Sequence, residues 1–76
     1  MTELLTYLVR NIVDDPDAVR ITREDQQGYL ELLIHVAPDD IGKVIGKSGR
    51  VIKALRTLMR AAGMSENRKV LVEIVE

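Results

Sequence analysis

Val44-Ile45-Gly46-Lys47-Ser48-Gly49-Arg50-Val51-Ile52 is the stretch around which the chain is organised. Two apolar residues lead into a Gly-x-x-Gly turn with a polar middle, and apolar periodicity resumes beyond it. The pattern describes a sharp bend between two helices. Gly46 and Gly49 carry no Cβ, so the backbone can turn tightly and another backbone can come close. A helix beginning at Gly49 offers N–H groups and the positive end of its dipole to an anionic oxygen. Lys47 and Arg50 add full charges there, which suits a phosphodiester better than an apolar ligand.

Downstream, the spacing predicts a long helix from about Gly49 to Ala62, with Gly63 as its C′ residue. At about 100° per residue, Val51, Ile52, Leu55, Leu58, Met59 and Ala62 fall within an arc of about 120°. Arg50, Lys53, Arg56 and Arg60 fill a nearly opposite arc, so one face packs and the other is wet and cationic. A final strand follows over Lys69 to Val75, with Val70, Val72 and Ile74 on one side. Upstream, Pro38-Asp39-Asp40 opens a short helix of about residues 39 to 45.

Before it, Tyr29 to Val36 alternates as a strand, with Leu30, Leu32, Ile34 and Val36 facing one way. Val19 to Thr22 forms a shorter strand, and Asp25-Gln26-Gln27-Gly28 supplies the turn of an antiparallel hairpin. The chain starts with a helix capped by Thr2, carrying Leu5, Leu8, Val9 and Ile12 on its core face, and Asp14-Asp15-Pro16-Asp17 ends it. The order is α-β-β-α-α-β. Three strands with so few helices put every helix on one face of the sheet, an α+β fold.

Seventy-six residues make one domain, residues 1–76, with no room for a second core. A domain this size buries only about 60% of its unfolded surface, so its 46% apolar content matters for folding at all. No cysteine is present, which removes disulfides and thiolate chemistry. Thr6, Arg10 and Asn11 interrupt the N-terminal apolar residues, so neither a signal peptide nor a membrane span is expected, and the location is cytoplasmic. Net charge is −1, yet Ile41 to Gly63 holds six basic residues and no acidic one. A +6 segment sits in a −7 frame. Solvated helices usually mix both signs, so the segment reads as an electrostatic footprint for a polyanion.

Gly42-Lys43-Val44-Ile45-Gly46-Lys47-Ser48 imitates a nucleotide-binding P-loop but has three residues between its glycines where four are needed, and no strand runs into it. His35 is the only histidine, and no Cys, His or carboxylate cluster stands at ligand spacing, so no metal or cofactor is expected. No nucleophile–base pair or paired catalytic carboxylates are found, and the chain is not read as an enzyme. The Gly-x-x-Gly segment leaves two readings open. It is a helix corner whose glycines serve geometry alone, or a clamp in which Lys47 and Ser48, at the tip, meet a phosphate or sugar oxygen. The tip position favours the second.

The nonapeptide, with its Val-Ile lead-in, basic loop and Ile52 three residues after Gly49, resembles the signature of KH domains, whose Gly-x-x-Gly loop clamps about four nucleotides. Lys53-Ala54-Leu55-Arg56-Thr57-Leu58 and Val72-Glu73-Ile74-Val75-Glu76 extend the resemblance to bacterial single-KH proteins of the KhpA type across essentially the whole chain. The resemblance implies a type II KH domain, with a three-stranded mixed sheet whose last strand lies parallel beside the middle one. It implies single-stranded RNA as ligand, with Gly46, Lys47, Ser48, Gly49 and Arg50 as the clamp and Lys43 and Lys53 beside it. KH domains receive bases in an aliphatic groove, for which Ile41, Val44 and Val51 are the candidates, unless all three are plain core. The family further implies RNA-chaperone or post-transcriptional work, a homodimer, a heterodimer with a KhpB-type KH protein, and a link to cell elongation and envelope homeostasis. The alternative is a protein-interaction adaptor with a vestigial clamp, using Leu33, Leu71 and Val75 on the uncovered sheet face.

Overall fold

The computed structural model describes residues 1–76. Six elements follow the expected order: α1 (Thr2–Arg10), β1 (Arg20–Gln26), β2 (Tyr29–His35), α2 (Ile41–Ile45), α3 (Arg50–Ser65) and β3 (Val70–Ile74). Short 3-10 turns stand at Pro16–Ala18, Pro38–Asp40 and Lys47–Gly49. The sheet order is β1-β2-β3. β1 runs antiparallel to β2 with Ile21 opposite Ile34, and β3 runs parallel to β2 with Val72 beside Leu32. The three-stranded mixed sheet and its helical layer are those the resemblance implies.

Alternation on the strands decides which face is covered. Leu30, Leu32 and Ile34 of β2 and Val70 and Val72 of β3 are buried, and they meet Leu5 and Val9 of α1, Val44 of α2, and Ile52, Leu55 and Met59 of α3. The other face stays open, where His35 Nε2 lies 3.0 Å from Thr22 Oγ1 across the hairpin.

Four local expectations are corrected. Thr2 does not cap α1: Met1 stands at the cap and no side chain bonds there, while the Thr2 carbonyl accepts from Thr6 Oγ1 at 2.8 Å. β1 runs on to Gln26, leaving a two-residue loop in which Gly28 takes the positive φ of 90°. Charged Arg23 and Asp25 continue that strand because backbone pairing to Leu32 and Leu30 carries it past the core. Nor does α3 stop at Ala62. It continues to Ser65, and Asn67 adopts the left-handed φ of 60° that ends it. Arg68 N–H then reaches back to the Gly63 carbonyl at 2.7 Å, and Asn67 N–H to Met64 at 3.1 Å, the paired bonds of a Schellman ending.

The fourth correction concerns the face that α3 buries. Its buried residues are Ile52, Leu55, Met59 and Gly63, an arc turned by roughly 45° toward Arg56 from the one the apolar pattern describes. Leu58 is therefore 50% exposed. β3 is the cause. At Gly63 an added Cβ would stand 2.5 Å from both the Arg68 carbonyl oxygen and Val70 Cγ2, so glycine lets the strand press against the helix. Arg56 follows the same rotation: its Nε donates to the Val72 carbonyl at 3.0 Å and its Nη2 to Glu73 at 3.3 Å.

The corner between α2 and α3 is fixed by a contact of the same kind. An added Cβ on Gly46 would lie 2.4 Å from Val51 Cγ2 and 2.9 Å from Val51 N, and Gly46 itself has φ 76° and ψ 172°. Glycine is required there by space and by backbone. Gly49 has φ 75°, but the nearest atom to its added Cβ is Ile52 Cγ2 at 4.0 Å, so only its backbone requires glycine.

Two pairs of substitutions test this. Leu55→Ala is expected to cost about 2–5 kcal/mol and Leu58→Ala no more than about 0.5 kcal/mol; equal losses in urea melts would mean α3 is not rotated. Gly49→Ala is expected to cost about 1–2 kcal/mol for its left-handed backbone. Gly46→Ala adds a steric cost of about 1–3 kcal/mol to its own strain. Matching melts for the two alanine variants would refute the Gly46–Val51 contact.

Candidate nucleic-acid interface

The Gly46–Gly49 loop forms the tip of the α2–α3 corner. Lys47 and Ser48 are exposed there, and Ser48 holds φ 57° and ψ 25°, a left-handed conformation that an L-residue adopts only at some cost. Its hydroxyl makes no bond within the chain, so it is free to donate outward. The space above Gly49 is open within 4 Å apart from one Ile52 methyl. Of the two glycines, Gly49 alone presents a bare backbone, since Val51 fills the corresponding space at Gly46.

The amides near the start of α3 are partly spent. Gly49 N–H donates to the Gly46 carbonyl at 3.1 Å, and Arg50 N–H donates to Lys47. An anion held here would therefore depend on side-chain cations and the helix dipole more than on free amides.

Those cations divide into two groups. Lys43 pairs with Asp14, and Arg56 with Glu73. Lys47, Arg50, Lys53 and Arg60 have no carboxylate partner, although Arg60 Nε bonds back to the Arg56 carbonyl at 3.3 Å. Lys47, Arg50 and Lys53 thus lie within two turns of Gly49 as an unneutralised group, while Arg56 is turned onto β3 and leaves the cationic face.

The three aliphatic candidates separate as well. Ile41 and Val51 are half-buried and keep surface beside the loop. Val44 is fully buried at 0% exposure, so it supports the corner from beneath and lines no open groove. A shallow groove does run between α3 and β3, lined by Arg56, Arg60, Val70, Leu71, Val72 and Glu73. β3 is an edge strand there. Lys69 and Val75 bond toward β2, so the intervening Val70, Val72 and Ile74 turn backbone groups outward. Nothing in the side-chain pattern of β3 advertises this groove, because backbone groups and a rotated Arg56 make it.

Asp40 organises the underside. It is 2% exposed, and its two carboxylate oxygens accept from the Asp14 and Asp15 amides, each at 3.1 Å. The pKa shifts trace to ion pairs and not to a reactive cleft. Hydrogen bonds from Arg23 and Arg68 hold Asp25 below the ordinary carboxylate range at the far end of the hairpin. The Asp14 hydrogen bond raises Lys43 above the ordinary lysine range. No group of three His, Cys, Asp or Glu side chains gathers at metal-binding spacing, and no helix is long and apolar enough to cross a membrane. The arrangement is equipped to hold anionic oxygens, with no general acid or base aimed at them.

The chain matches the family model described as KhpA/KhpB, KH domain, over residues 2–74. It is similar to proteins named RNA-binding protein KhpA in several bacteria. The Clostridium acetobutylicum protein is 44% identical over 75 residues, covering 99% of this chain and 100% of the relative. The Listeria monocytogenes protein is 42% identical over 76 residues, 100% of both chains. The Chlamydia trachomatis protein is 43% identical over 76 residues, 100% of this chain and 97% of the relative. No solved structure gives a significant match. The matched family is one of RNA-binding domains and not of enzymes. On the family model and on relatives aligned end to end, the chain belongs to the KhpA/KhpB family of KH domains.

Proposed function

We propose that this single KH domain, residues 1–76, binds single-stranded RNA by clamping its backbone across the Gly46–Gly49 loop. The observation that carries the reading is the division of the cations: Lys47, Arg50 and Lys53 stand unpaired around Gly49, the glycine of the loop's two whose surface is open. Lys47 acts as a point charge on phosphate, and Ser48 donates to a phosphate or sugar oxygen. Gly49 admits the strand, Gly46 holds the corner, and Arg50 and Lys53 extend the contact along α3. Lys43 borders the site from α2. Ile41 and Val51 offer aliphatic surface to bases, with Val44 as support beneath. Aromatic stacking adds nothing near the loop, because the only aromatics are Tyr7 and Tyr29, so affinity and base selectivity are both modest.

The relatives' name as RNA-binding proteins supports the same ligand for this chain. The wider role that fits is a cytoplasmic RNA chaperone or post-transcriptional regulator, self-associating and pairing with a KhpB-type protein, in cell elongation and envelope homeostasis. The adaptor reading draws on one observation: Leu71 and Val75 are 37% and 42% exposed on or beside the uncovered sheet face. A salt titration separates the two, since a phosphate clamp must weaken steeply with ionic strength.

Lys47→Asp with Ser48→Asp is expected to abolish RNA binding, measured by fluorescence anisotropy, with little change in melting temperature. Native-like affinity in that variant would sink the clamp. Each phosphate contact on a single strand contributes about −0.7 to the slope of log affinity against log salt. Arg50→Ala is expected to flatten the slope by about that amount, and Arg60→Ala to leave it unchanged. Equal flattening would extend the binding path along all of α3.

A further inference from the structure

Asp14 lies in the loop between α1 and β1, far in sequence from the α2–α3 corner, yet its carboxylate is bound to the Lys43 ammonium. The pair is not a chance meeting of two long side chains. Asp40, buried at the head of α2, grips the Asp14 and Asp15 amides with both oxygens at 3.1 Å. The backbone that carries Asp14 is therefore fastened to the helix that carries Lys43. Lys43 stands three residues before Gly46, about 4.5 Å along the helix at 1.5 Å per residue, and about half of its side chain remains exposed at 45%. It is the one cation of the α2 side of the corner, and it is already neutralised.

We propose that Asp14 is a built-in competitor for the RNA phosphate, occupying Lys43 until a bound strand displaces it. This rests on the reading of the corner as an RNA clamp and adds its regulation. A carboxylate and a phosphodiester present like anionic oxygens to an ammonium, so the exchange needs no change of fold. In the resting chain Lys43 contributes nothing to attraction at a distance, and short or weakly held anions meet only Lys47, Arg50 and Lys53. A strand that reaches back along α2 must evict Asp14 to gain the additional contact. Asp14 thus raises the threshold for productive binding and selects against ligands that engage the loop tip alone. The hydrogen bond that Lys43 donates to Asp14, which lifts the Lys43 pKa, is the same contact seen from the lysine side.

The test uses fluorescein-labelled, mixed-sequence single-stranded RNA and the full chain. Asp14→Asn keeps the backbone amide that Asp40 holds, so the fold is retained and melting curves check it. The variant is expected to bind about two- to fivefold more tightly, the factor that an exposed ion pair is worth. Its salt slope is expected to steepen by up to about 0.7, one further phosphate contact. Adding Lys43→Gln to Asp14→Asn is expected to erase both gains. Asp17→Asn serves as the control for bulk charge: Asp17 is 95% exposed and faces Arg10 at 3.9 Å, and its removal is expected to leave affinity and slope unchanged. No gain in Asp14→Asn, a gain that survives Lys43→Gln, or an equal gain in Asp17→Asn would each overturn the proposal. If the Lys47/Ser48 aspartate variant still bound RNA, the clamp reading itself would fail. Loss of binding there with a neutral Asp14→Asn would refute the competitor alone.

Discussion

The contact between Val51 and Gly46 sets the geometry on which the rest of the molecule depends. A valine methyl and its amide occupy the volume where any side chain on residue 46 would lie. The angle between α2 and α3 therefore cannot open without exposing Val51 or close without collision. With that angle held, Val44 from one helix and Ile52 and Leu55 from the other reach the same core. The four residues left between the helices must then cross a short gap, which forces Ser48 and Gly49 into left-handed backbone. Rigidity at the tip follows from packing beneath it, and the cations around the tip inherit fixed positions.

Charge is distributed by the same framework. The segment from Ile41 to Gly63 carries six basic residues, but packing removes two from general use. Glu73 and a β3 carbonyl hold Arg56, and Asp14 holds Lys43. Acidic residues outside the segment thus define which of its cations face solvent uncompensated. A domain with net charge −1 can in this way present a concentrated positive patch while its remaining surface repels polyanions.

Much of this is legible in the sequence, and what is not depends on contacts between residues distant in the chain. The element order, the strand alternation of β2 and β3 and the glycine corner follow from local periodicity and turn chemistry, which residues within a few positions of each other determine. Leu58 falls outside the buried arc because the helical pattern records which residues are apolar, whereas the direction of burial depends on where β3 lies. The same strand explains Gly63: its missing side chain reads as a helix ending in one dimension and as a close approach in three. The full length of β1 is not legible because its polar half has no periodicity of its own and is held by pairing to β2. The pairing of Lys43 with Asp14 was illegible for a simpler reason, since 29 residues separate them. Val44 carries no local sign that tells buried support from groove lining.

Asp40 has a consequence for how the chain holds together without cysteine. Its carboxylate joins residue 40 to residue 14, closing a ring whose ends stand 26 positions apart and that contains the whole β1–β2 hairpin. A covalent bridge across a ring of that size would withdraw about 3–4 kcal/mol of entropy from the unfolded chain. A hydrogen-bonded bridge withdraws none, because it exists only once both ends are in place. It makes the hairpin, the loop before it and the helix after it form or fail together, turning a cross-link into a source of cooperativity. The position also demands two acceptor oxygens facing two N–H groups. Asparagine, of identical shape, would set an NH₂ donor against one of them, so exchanging a single oxygen leaves one of the two amides without its acceptor.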